Sequence, residues 1–472
     1  MVVIAAVFMT NLDLWIVNVA LPGIGAGFTG AGGPPTLSSL SWVLNGYAVA
    51  LAALLIVAGR LGDRIGHRQV FLAGIAVFTL ASGLCALAPN LPVLIVARVL
   101  QGAGAAAQLP TSLALILSVT AVERRTAVAR GWSASGALAA ACGPVFGGLL
   151  VEQSWRWVFV VNLPIGVASL VLGWRLLPRS PGRHREPLPD LLAAALITLA
   201  VGALTGALVQ APSWGWSAPA TIGLLLVALL AGAGVLRRCA VHRQPLFELA
   251  LFSVRGFGIA NAATFVFSVG FSIMLLSNVL WCQEIWHYSP VRTGLAMAPG
   301  PALVPIVTLL SARAVQRLGS GPVAVAGSAL FAASMLWRVG VVSSAPAYAR
   351  DLLPSMLLGG AGVGLALGTL IAAGVTSLPP QRSATGSAMV NAGRQIAAAV
   401  GVAILVSLLG VRIDSASVPS FRIAWLVAAA LAVVAAGLAA RLRIRAAEPP
   451  ATDPDAAAGP VTALPDRATA GA

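Results

Sequence analysis

The sequence predicts an all-α membrane protein with about 14 transmembrane helices. Three observations support this fold class: apolar residues make up 58% of the 472-residue chain, charged residues make up only 9%, and apolar runs of roughly 20 residues recur from end to end. Only helices and closed barrels satisfy the backbone inside a bilayer. Because the runs are continuous and do not alternate as short strands do, they indicate helices.

The apolar runs fall into two groups of six with two runs between them. We expect an N-terminal six-helix bundle over residues 1–177, two linker helices over 189–237 and a pseudo-symmetric C-terminal six-helix bundle over 256–440. Residues 441–472 are too poor in apolar residues to order themselves and are expected to form a disordered cytoplasmic tail. The spans are expected at about 1–21, 40–58, 70–88, 92–118, 127–150, 157–177, 189–210, 219–237, 256–281, 292–312, 321–341, 348–376, 385–410 and 422–440.

The first span is expected to be retained in the mature protein. Asn11 and Asp13 interrupt its apolar run, and no basic segment precedes it, unlike in a signal peptide. Because the span begins almost at Met1, we leave open whether a short leader precedes the given start.

The charge of the chain is basic and unevenly distributed. The formal net charge is +15, and all 29 basic residues are Arg because the chain has no Lys. In a soluble protein this charge would suggest a nucleic-acid partner, but here most arginines outside the spans follow even-numbered spans. The positive-inside rule then places these connections and both termini in the cytoplasm. We expect a multi-pass protein of the inner (plasma) membrane with no nucleic-acid partner.

The sequence contains no pattern typical of an enzyme or of a cofactor site. The four cysteines, Cys85, Cys142, Cys239 and Cys282, lack metal-ligand spacing and are interpreted as small apolar side chains. Nothing resembles a phosphate-binding loop, a metal cluster or a catalytic triad. We therefore expect no cofactor and no enzymatic activity.

A short charged connection stands between the second and third spans. The segment Gly59–Val70 is expected to be a tight loop, with Asp63 at the start of the third helix, where the helix dipole favours an acid. The segment Ala312–Gly319 repeats the pattern in the second half, with Gln316 in place of the acid. The repeat is what a duplicated architecture predicts.

Five segments resemble motifs of a known family: Leu12–Pro22, Gly59–Val70, Leu94–Ala106, Gly143–Gly148 and Trp155–Gly166. With these motifs the chain is similar to the major facilitator superfamily, specifically its fourteen-helix drug:proton antiporter branch. The similarity covers most of the chain and is densest over residues 12–166. Two positions depart from the family pattern: Trp15 replaces a small polar residue, and Ala139 replaces a frequent Gly.

The resemblance implies a proton-coupled secondary transporter that exports amphipathic small molecules or drugs by alternating access. Its implied partners are a small-molecule substrate, protons and the lipid bilayer, and it is expected to work as a monomer. A dedicated exporter of one endogenous metabolite or antibiotic and an ion–proton exchanger are the open alternatives. A non-transporting scaffold or sensor is less favoured because Asp13, Arg98 and the Gly-rich connection are present.

Asp13 and Arg98 are the candidate proton-coupling residues. A carboxylate at mid-bilayer costs about 2.5–3.5 kcal/mol on insertion scales, and burial favours its neutral form. Arg98 cannot shed its proton, and the resemblance implies that it influences the proton affinity of a neighbour. The alternatives are structural: an acid satisfied by Asn18 or a hydroxyl group, and an arginine that holds helices together through backbone carbonyls.

Two further groups of residues are candidates for conformational roles. The small residues and the kink point of the fifth span by themselves favour ordinary tight packing, and the resemblance implies a gating role. The charged connection is interpreted as a cytoplasmic latch that stabilises the outward-facing state without touching substrate. The gating candidates are Gly143, Pro144, Gly147 and Gly148, and the latch candidates are Gly59, Arg60, Asp63, Arg64, Gly66 and Arg68.

A third group consists of polar and aromatic residues that could line a substrate cavity. Its acid, Glu284, could bind a cationic substrate or could be an exposed acid at the rim. The candidates are Trp15, Asn18, Gln101, Gln108, Glu284, Asn391 and Arg394.

Overall fold

The computed structural model describes residues 2–29, 33, 35–121, 124–178, 190–242, 245–379, 382–410 and 413–442. Over these residues it holds 14 helical segments that are long and apolar enough to cross a membrane, which confirms the predicted fold class. The expected tail lies outside the described residues from 443 onward. The helices are α1 (Val2–Gly27), α2 (Leu37–Ile65), α3 (His67–Leu87), α4 (Leu91–Ser118), α5 (Arg125–Gln153), α6 (Trp157–Val160), α7 (Asn162–Leu176), α8 (Leu191–Trp214), α9 (Pro219–Val241), α10 (Leu249–Phe252), α11 (Arg255–Leu280), α12 (Pro290–Met297), α13 (Pro299–Leu318), α14 (Ser320–Val341), α15 (Tyr348–Asp351), α16 (Leu353–Thr376), α17 (Ser383–Leu409) and α18 (Val418–Ala439).

Four of the crossings consist of two helical pieces. α6 is followed by α7, α12 by α13 and α15 by α16, while α11 ends in a π-helical turn at Trp281–Ile285. α13 begins at Pro299, which lacks the N–H group that would continue the hydrogen bonding of α12. π-Helical turns are rare and are found mostly at functional sites.

The same helix pairings recur in the two halves of the chain. In the first half α1 packs on α5, and α4 packs on both α2 and α3; in the second half α11 packs on α17, and α16 packs on both α13 and α14. The halves meet along two seams, α2 against α17 and α5 against α12 and α13. α8 packs on α9 and on both α2 and α17, so it lies along the first seam.

Single glycines reverse the chain at equivalent places in the two halves. Gly66, between α2 and α3, has φ +107°, and Gly319, between α13 and α14, has φ +87°. L side chains rarely adopt this backbone conformation, so glycine is required at both positions. We name the end of the molecule that holds these two glycines the arginine-rich face, after Arg60, Arg64, Arg68, Arg313 and Arg317.

The predicted loop at Gly59–Val70 is wrong, because α2 continues to Ile65 and α3 begins at His67. Asp63 therefore lies in the last turn of α2, where the helix dipole does not favour an acid, and the dipole argument for it fails. Asp63 is 60% exposed and lies 3.3 Å from the ring nitrogen Nε2 of His67, across Gly66.

A buried acid ties α8 to α9 at the arginine-rich face. Asp190 precedes α8 and accepts a hydrogen bond from the Ala193 N–H at 3.0 Å. Arg238 on α9 lies 2.8 Å from both carboxyl oxygens, and His242 follows at 3.8 Å. Burial raises the pKa of Asp190, but the hydrogen bonds from Ala193 and Arg238 outweigh burial and hold that pKa below its ordinary value.

We expect Asp190→Asn to lower the stability of the purified protein at pH 7 by about 1–2 kcal/mol, because the charged acceptor is lost. The pKa of Asp190 is lower in the folded than in the unfolded state. Its contribution to stability is therefore complete above the unfolded-state pKa and is lost as the pH falls below about 4. Thermal unfolding measured from pH 7 to pH 3.5 should therefore show that the stability difference between wild type and Asp190→Asn shrinks. Glu152→Gln, at an exposed acid, is the control and should match wild type throughout; a difference that is constant with pH would contradict the assignment.

Candidate functional site

An ion pair joins the first and fourth crossings inside the N-terminal half. Arg98 on α4 donates to Asp13 Oδ2 on α1 at 2.5 Å. Both side chains are withdrawn from solvent, with Asp13 0% and Arg98 1% exposed. An isolated charge at this depth is costly, and in the ion pair the two opposite charges compensate each other.

Both oxygens of the Asp13 carboxyl group act as acceptors. Its Oδ1 accepts one hydrogen bond from Gln101 and another from Asn162 on α7, each at 3.0 Å. Ser82 on α3 accepts from the same two amides, at 3.2 Å from Gln101 and 3.0 Å from Asn162, and donates to the Phe159 carbonyl. Arg98, Gln101 and Asn162 therefore all donate to Asp13, whose two oxygens act as acceptors.

Arg98 also has partners that do not depend on Asp13. It donates to the Val43 carbonyl on α2 at 3.0 Å and to Gln101 Oε1 at 2.7 Å. Its guanidinium carbon lies 4.2 Å from the centre of the Tyr47 ring, within cation–π range. Arg98 can therefore stay in place when Asp13 loses its charge.

Glycines on α4 allow these helices to approach closely. A Cβ at Gly104 would lie 2.6 Å from the backbone nitrogen of Phe78 on α3, and one at Gly102 would lie 2.5 Å from the carbonyl oxygen of Tyr47 on α2. Real Cβ atoms do not approach backbone atoms so closely, so glycine is needed at both positions. The close packing brings α2 and α3 side chains within reach of the ion pair.

Sequence reasoning identified three members of this cluster, Asp13, Arg98 and Gln101, and the structure brings them together. It missed Asn162 and Ser82. Asn162 is the one polar residue in the apolar start of the sixth crossing, so its position was a usable signal. Serine is common in membrane helices, so Ser82 carried no signal of its own.

Two other predicted cavity residues lie outside this cluster. Gln108 accepts a hydrogen bond from Thr10 at 3.1 Å and donates to a backbone carbonyl of α3 at 3.3 Å, so it joins α4 to α1 and α3. Asn18 donates to the carbonyl of Leu14 in its own helix at 2.7 Å. The alternative in which Asn18 satisfies Asp13 is therefore wrong.

α17 carries a polar face. Ser387, Asn391 and Arg394 share one side of the helix and are all partly exposed. Other faces of α17 are covered, since Ala399 packs with α2 and α8, and Gly401 packs against the backbone of α11. A face this polar would be unfavourable against lipid, so we infer that it borders a space between the two halves, together with Asn11, Trp15 and Asn18, which share one side of α1. We name this space the central cavity.

Aromatic rings from the two halves meet at this cavity. Trp15 on α1 packs edge-on against Phe271 on α11, with ring centroids 6.2 Å apart. Both side chains are partly exposed. The pair offers a planar apolar surface beside the polar residues of α1 and α17, as expected for a cavity that accepts amphipathic compounds.

Glycines of α5 hold this helix between the two halves. Gly143 and Gly147 pack against α1, where a Cβ at Gly147 would lie 3.2 Å from Ile16 Cα. A Cβ at Gly148 would lie 2.9 Å from Val291 Cα on α12, in the other half. Close packing at these glycines is therefore present, and their gating role stays a prediction.

Glu284 lies in the π-helical turn that ends α11, at the end opposite the arginine-rich face. It is partly buried, so it is not a fully exposed acid at the rim. Within the described ranges no ion pair to Glu284 is present. Its neighbour Gln283 donates to the Val19 carbonyl of α1 at 3.0 Å and so bridges the two halves. Cation binding by Glu284 stays a prediction.

The C-terminal half has a buried arginine that sequence reasoning left without a role. Arg338 on α14 is 0% exposed and donates to Asn278 on α11 and to Ser355 Oγ on α16 at 3.0 Å. No carboxylate of the described chain forms an ion pair with it. The two halves therefore each bury an arginine, but only the first is seen to pair its arginine with an acid.

Two arginines of the predicted latch contact backbone carbonyls. Arg60 donates to the carbonyl of Pro245 at 2.6 Å, and Arg68 donates to the carbonyl of Trp174 at 2.5 Å. Arg60 thereby joins the end of α2 to the segment that leads from α9 into the C-terminal half. Arg68 joins the start of α3 to the end of α7.

Two pseudo-symmetric groups of six crossings around a polar cavity, with an ionisable pair buried in one wall, define a secondary membrane transporter. Among the residues that the structure describes, no group of three or more His, Cys, Asp or Glu side chains is placed to hold a metal ion.

Comparisons with known proteins identify the family. Residues 3–402 match the family model described as Major Facilitator Superfamily. The chain is 35% identical over 407 residues to the multidrug resistance protein Stp of Mycobacterium tuberculosis, covering 85% of this chain and 74% of that protein. It is 32% identical over 418 residues to the tetracenomycin C resistance and export protein of Streptomyces glaucescens, covering 87% of this chain and 75% of that protein. The chain therefore belongs to the Major Facilitator Superfamily.

Solved structures agree on the fold. A crystal structure of the peptide transporter POT in complex with sulfate matches with a TM-score of 0.67 and 15% identity, covering 93% of this chain and 94% of that one. At this identity the likeness concerns the fold alone.

We expect Arg98→Gln to destabilise the protein by about 3–5 kcal/mol, because it leaves the Asp13 carboxylate buried without its cation. Adding Asp13→Asn removes that orphaned charge, so the double variant should be less destabilised than the sum of the single variants. Thermal unfolding of the purified proteins gives the double-mutant cycle. Arg422→Gln, at an exposed arginine of α18, is the control for loss of a positive charge. Additive effects within about 0.5 kcal/mol would show that the pair is not coupled.

Proposed function

We propose that the protein is a proton-coupled exporter of amphipathic small molecules that works by alternating access. The observation that carries the proposal is the buried Asp13–Arg98 ion pair in the wall of the bundle that lines the central cavity. Two relatives, named a multidrug resistance protein and a resistance and export protein, support the export of drug-like compounds. In this proposal the protein acts as a monomer in the inner (plasma) membrane, with the arginine-rich face and both termini in the cytoplasm.

Asp13 is the proposed site of proton exchange. As a carboxylate it holds α1 to α4 through Arg98, and protonation removes the charge on which that link depends. Arg98 then keeps the Val43 carbonyl, Gln101 and the Tyr47 ring, so the cation is not left unpartnered. The link between α1 and α4 is thereby weakened at Asp13, while the hydrogen bond from Thr10 to Gln108 remains.

Movement of α1 would change the central cavity directly. Trp15 lies two residues beyond Asp13 on the same helix, and it contacts Phe271 in the other half. α1 also packs on Gly143 and Gly147 of α5, which in turn packs on α12. Protonation at Asp13 would therefore reach both the aromatic wall of the cavity and the seam that α5 forms, which is the gating role proposed for the α5 glycines.

A dedicated exporter of one metabolite or antibiotic is the second candidate. It is favoured by Trp15, whose large ring takes up space where the resembling family usually has a small polar residue. The Streptomyces glaucescens relative is also named for one compound, tetracenomycin C. Both candidates use the same cavity and the same ion pair, and a substrate panel distinguishes them by the number of compounds exported.

We expect Asp13→Asn to abolish transport driven by a pH gradient, because an amide cannot exchange a proton. Accumulation of a panel of aromatic dyes and antibiotics in everted vesicles, with an imposed acidic lumen, is the measurement. Glu152→Gln removes an exposed acid at the end of α5 and should retain full transport. Undiminished gradient-driven export by Asp13→Asn would contradict the proposed role of Asp13 in proton coupling. Movement of every compound without a gradient would contradict the proposal that the protein is a proton antiporter.

The latch is proposed to act mainly through Arg60, which bridges α2 and Pro245, whereas Asp63 is exposed. We expect Arg60→Gln to loosen the arginine-rich face and to increase the labelling rate of a cysteine placed at Ser387, near the start of α17. Labelling with an impermeant maleimide, in a protein whose four native cysteines are replaced, measures this access. Arg237→Gln, at an exposed arginine of α9, is the matched control. Equal labelling rates in wild type and Arg60→Gln would remove the latch role.

A further inference from the structure

The central cavity contains a fixed positive charge at Arg394. Its guanidinium forms one long hydrogen bond, to Asn391 Oδ1 one turn earlier, at 3.4 Å. No Asp or Glu of the described chain lies within ion-pair distance of Arg394. The side chain is partly exposed to the cavity, so its remaining N–H groups are available to a ligand.

The nearest functional acid does not neutralise this charge. Asp13 is 0% exposed, and its oxygens are engaged by Arg98, Gln101 and Asn162. Glu284 lies in the π-helical turn at the far end of α11, whereas Arg394 lies near the middle of α17. With Asp13 paired to Arg98, the middle of the cavity therefore carries the charge of Arg394.

The other cavity side chains can accept hydrogen bonds but bring no charge. The amide nitrogens of Asn11 and Asn18 donate to backbone carbonyls of their own helix, at 2.8 and 2.7 Å. Each amide therefore keeps its oxygen and one N–H group for a ligand. Trp15 and Phe271 add an apolar surface. A ligand that matches this set has an aromatic body, hydroxyl or amine donors, and one negatively charged group.

We propose that the exported compound is an organic acid, a planar molecule with a carboxylate or an ionised phenol that binds Arg394. A guanidinium offers two parallel N–H groups to a carboxylate, and such charge-assisted pairs are strong where water is scarce. A cationic compound would instead face an uncompensated positive charge in a medium of low dielectric constant. The proposal rests on the proposed export function and names its substrate class.

The test uses three anthracene probes that carry a negative, a neutral and a positive group at the same ring position: anthracene-9-carboxylate, anthracene-9-carboxamide and the 9-(trimethylammonio)methyl cation. Everted vesicles with an acidic lumen are suited to this test. A weak acid becomes neutral in an acidic compartment and leaves it by passive diffusion. Accumulation of the carboxylate must then be protein-driven. We expect wild type to accumulate the carboxylate in preference to the other two probes, and Arg394→Gln to reduce that preference about tenfold, as for the loss of one charged hydrogen-bonded pair.

Two controls separate a binding role from a structural one. Arg394→Lys keeps the charge and should restore part of the preference, and Arg422→Gln removes an exposed arginine and should change nothing. Binding to the purified proteins, followed by probe fluorescence, provides a readout independent of transport. The carboxylate should bind wild type about tenfold more tightly than Arg394→Gln, while the amide should bind both equally.

The outcomes distinguish this proposal from the export function on which it rests. Gradient-driven accumulation of the cation or the amide in preference to the carboxylate overturns the organic-acid proposal and leaves export standing. A carboxylate preference that survives Arg394→Gln overturns the role of Arg394. If no probe accumulates, the proposed export of such compounds is contradicted. If, in addition, the carboxylate binds wild type and Arg394→Gln equally, the organic-acid proposal is overturned as well.

Discussion

The ion pair between Asp13 and Arg98 is the interaction on which the N-terminal half depends. It draws partners from five helices: Asp13 from α1, the Val43 carbonyl from α2, Ser82 from α3, Gln101 from α4 and Asn162 from α7. Two charges are tolerated at this depth because they are bonded to each other and to polar neighbours. The same bonding makes the pair sensitive, since a single proton on Asp13 changes what holds α1 to α4.

The two halves share a fold but not a charge pattern. Arg98 and Arg338 are both buried beside amide and hydroxyl groups, yet the described chain shows an acid partner only for Arg98. Arg338 forms no ion pair with an Asp or Glu of the described residues, and its bonds to α11 and α16 favour one fixed arrangement. In the proposed mechanism the N-terminal half carries the carboxylate that exchanges a proton, and the C-terminal half supplies a stable counterpart against which it moves.

The sequence predicted the crossings well, because their length and apolar composition follow from the bilayer itself. It failed at Gly59–Val70, where glycines and charges suggested a loop, although long arginine side chains can extend from the end of a helix into water while the helix continues. The helix ends only at Gly66, whose positive φ is a property of the folded backbone.

The site was predictable to the extent that its residues stand out from their surroundings. Asp13 and Arg98 are charges inside apolar spans, so each was visible alone. That they pair with each other, and that Ser82 and Asn162 complete the cluster, depends on contacts between residues up to 149 positions apart. Arg338 was visible in the same way, but its partners Asn278 and Ser355 are ordinary polar residues on other helices.

The placement of α8 has a consequence for how a lipid-soluble compound reaches the cavity. Ser38 of α2 donates to the Val209 carbonyl of α8 at 2.9 Å, and Val201 of α8 packs with Ala48 and Ala399, one from each half. The α2–α17 seam is thus shielded from the bilayer by a third helix. Among the described helices, neither α8 nor α9 packs on α5 or α12. A compound that entered sideways from the lipid at the α2–α17 seam would therefore meet α8 first, whereas at the α5–α12 seam it would meet the close contact of Gly148 with Val291.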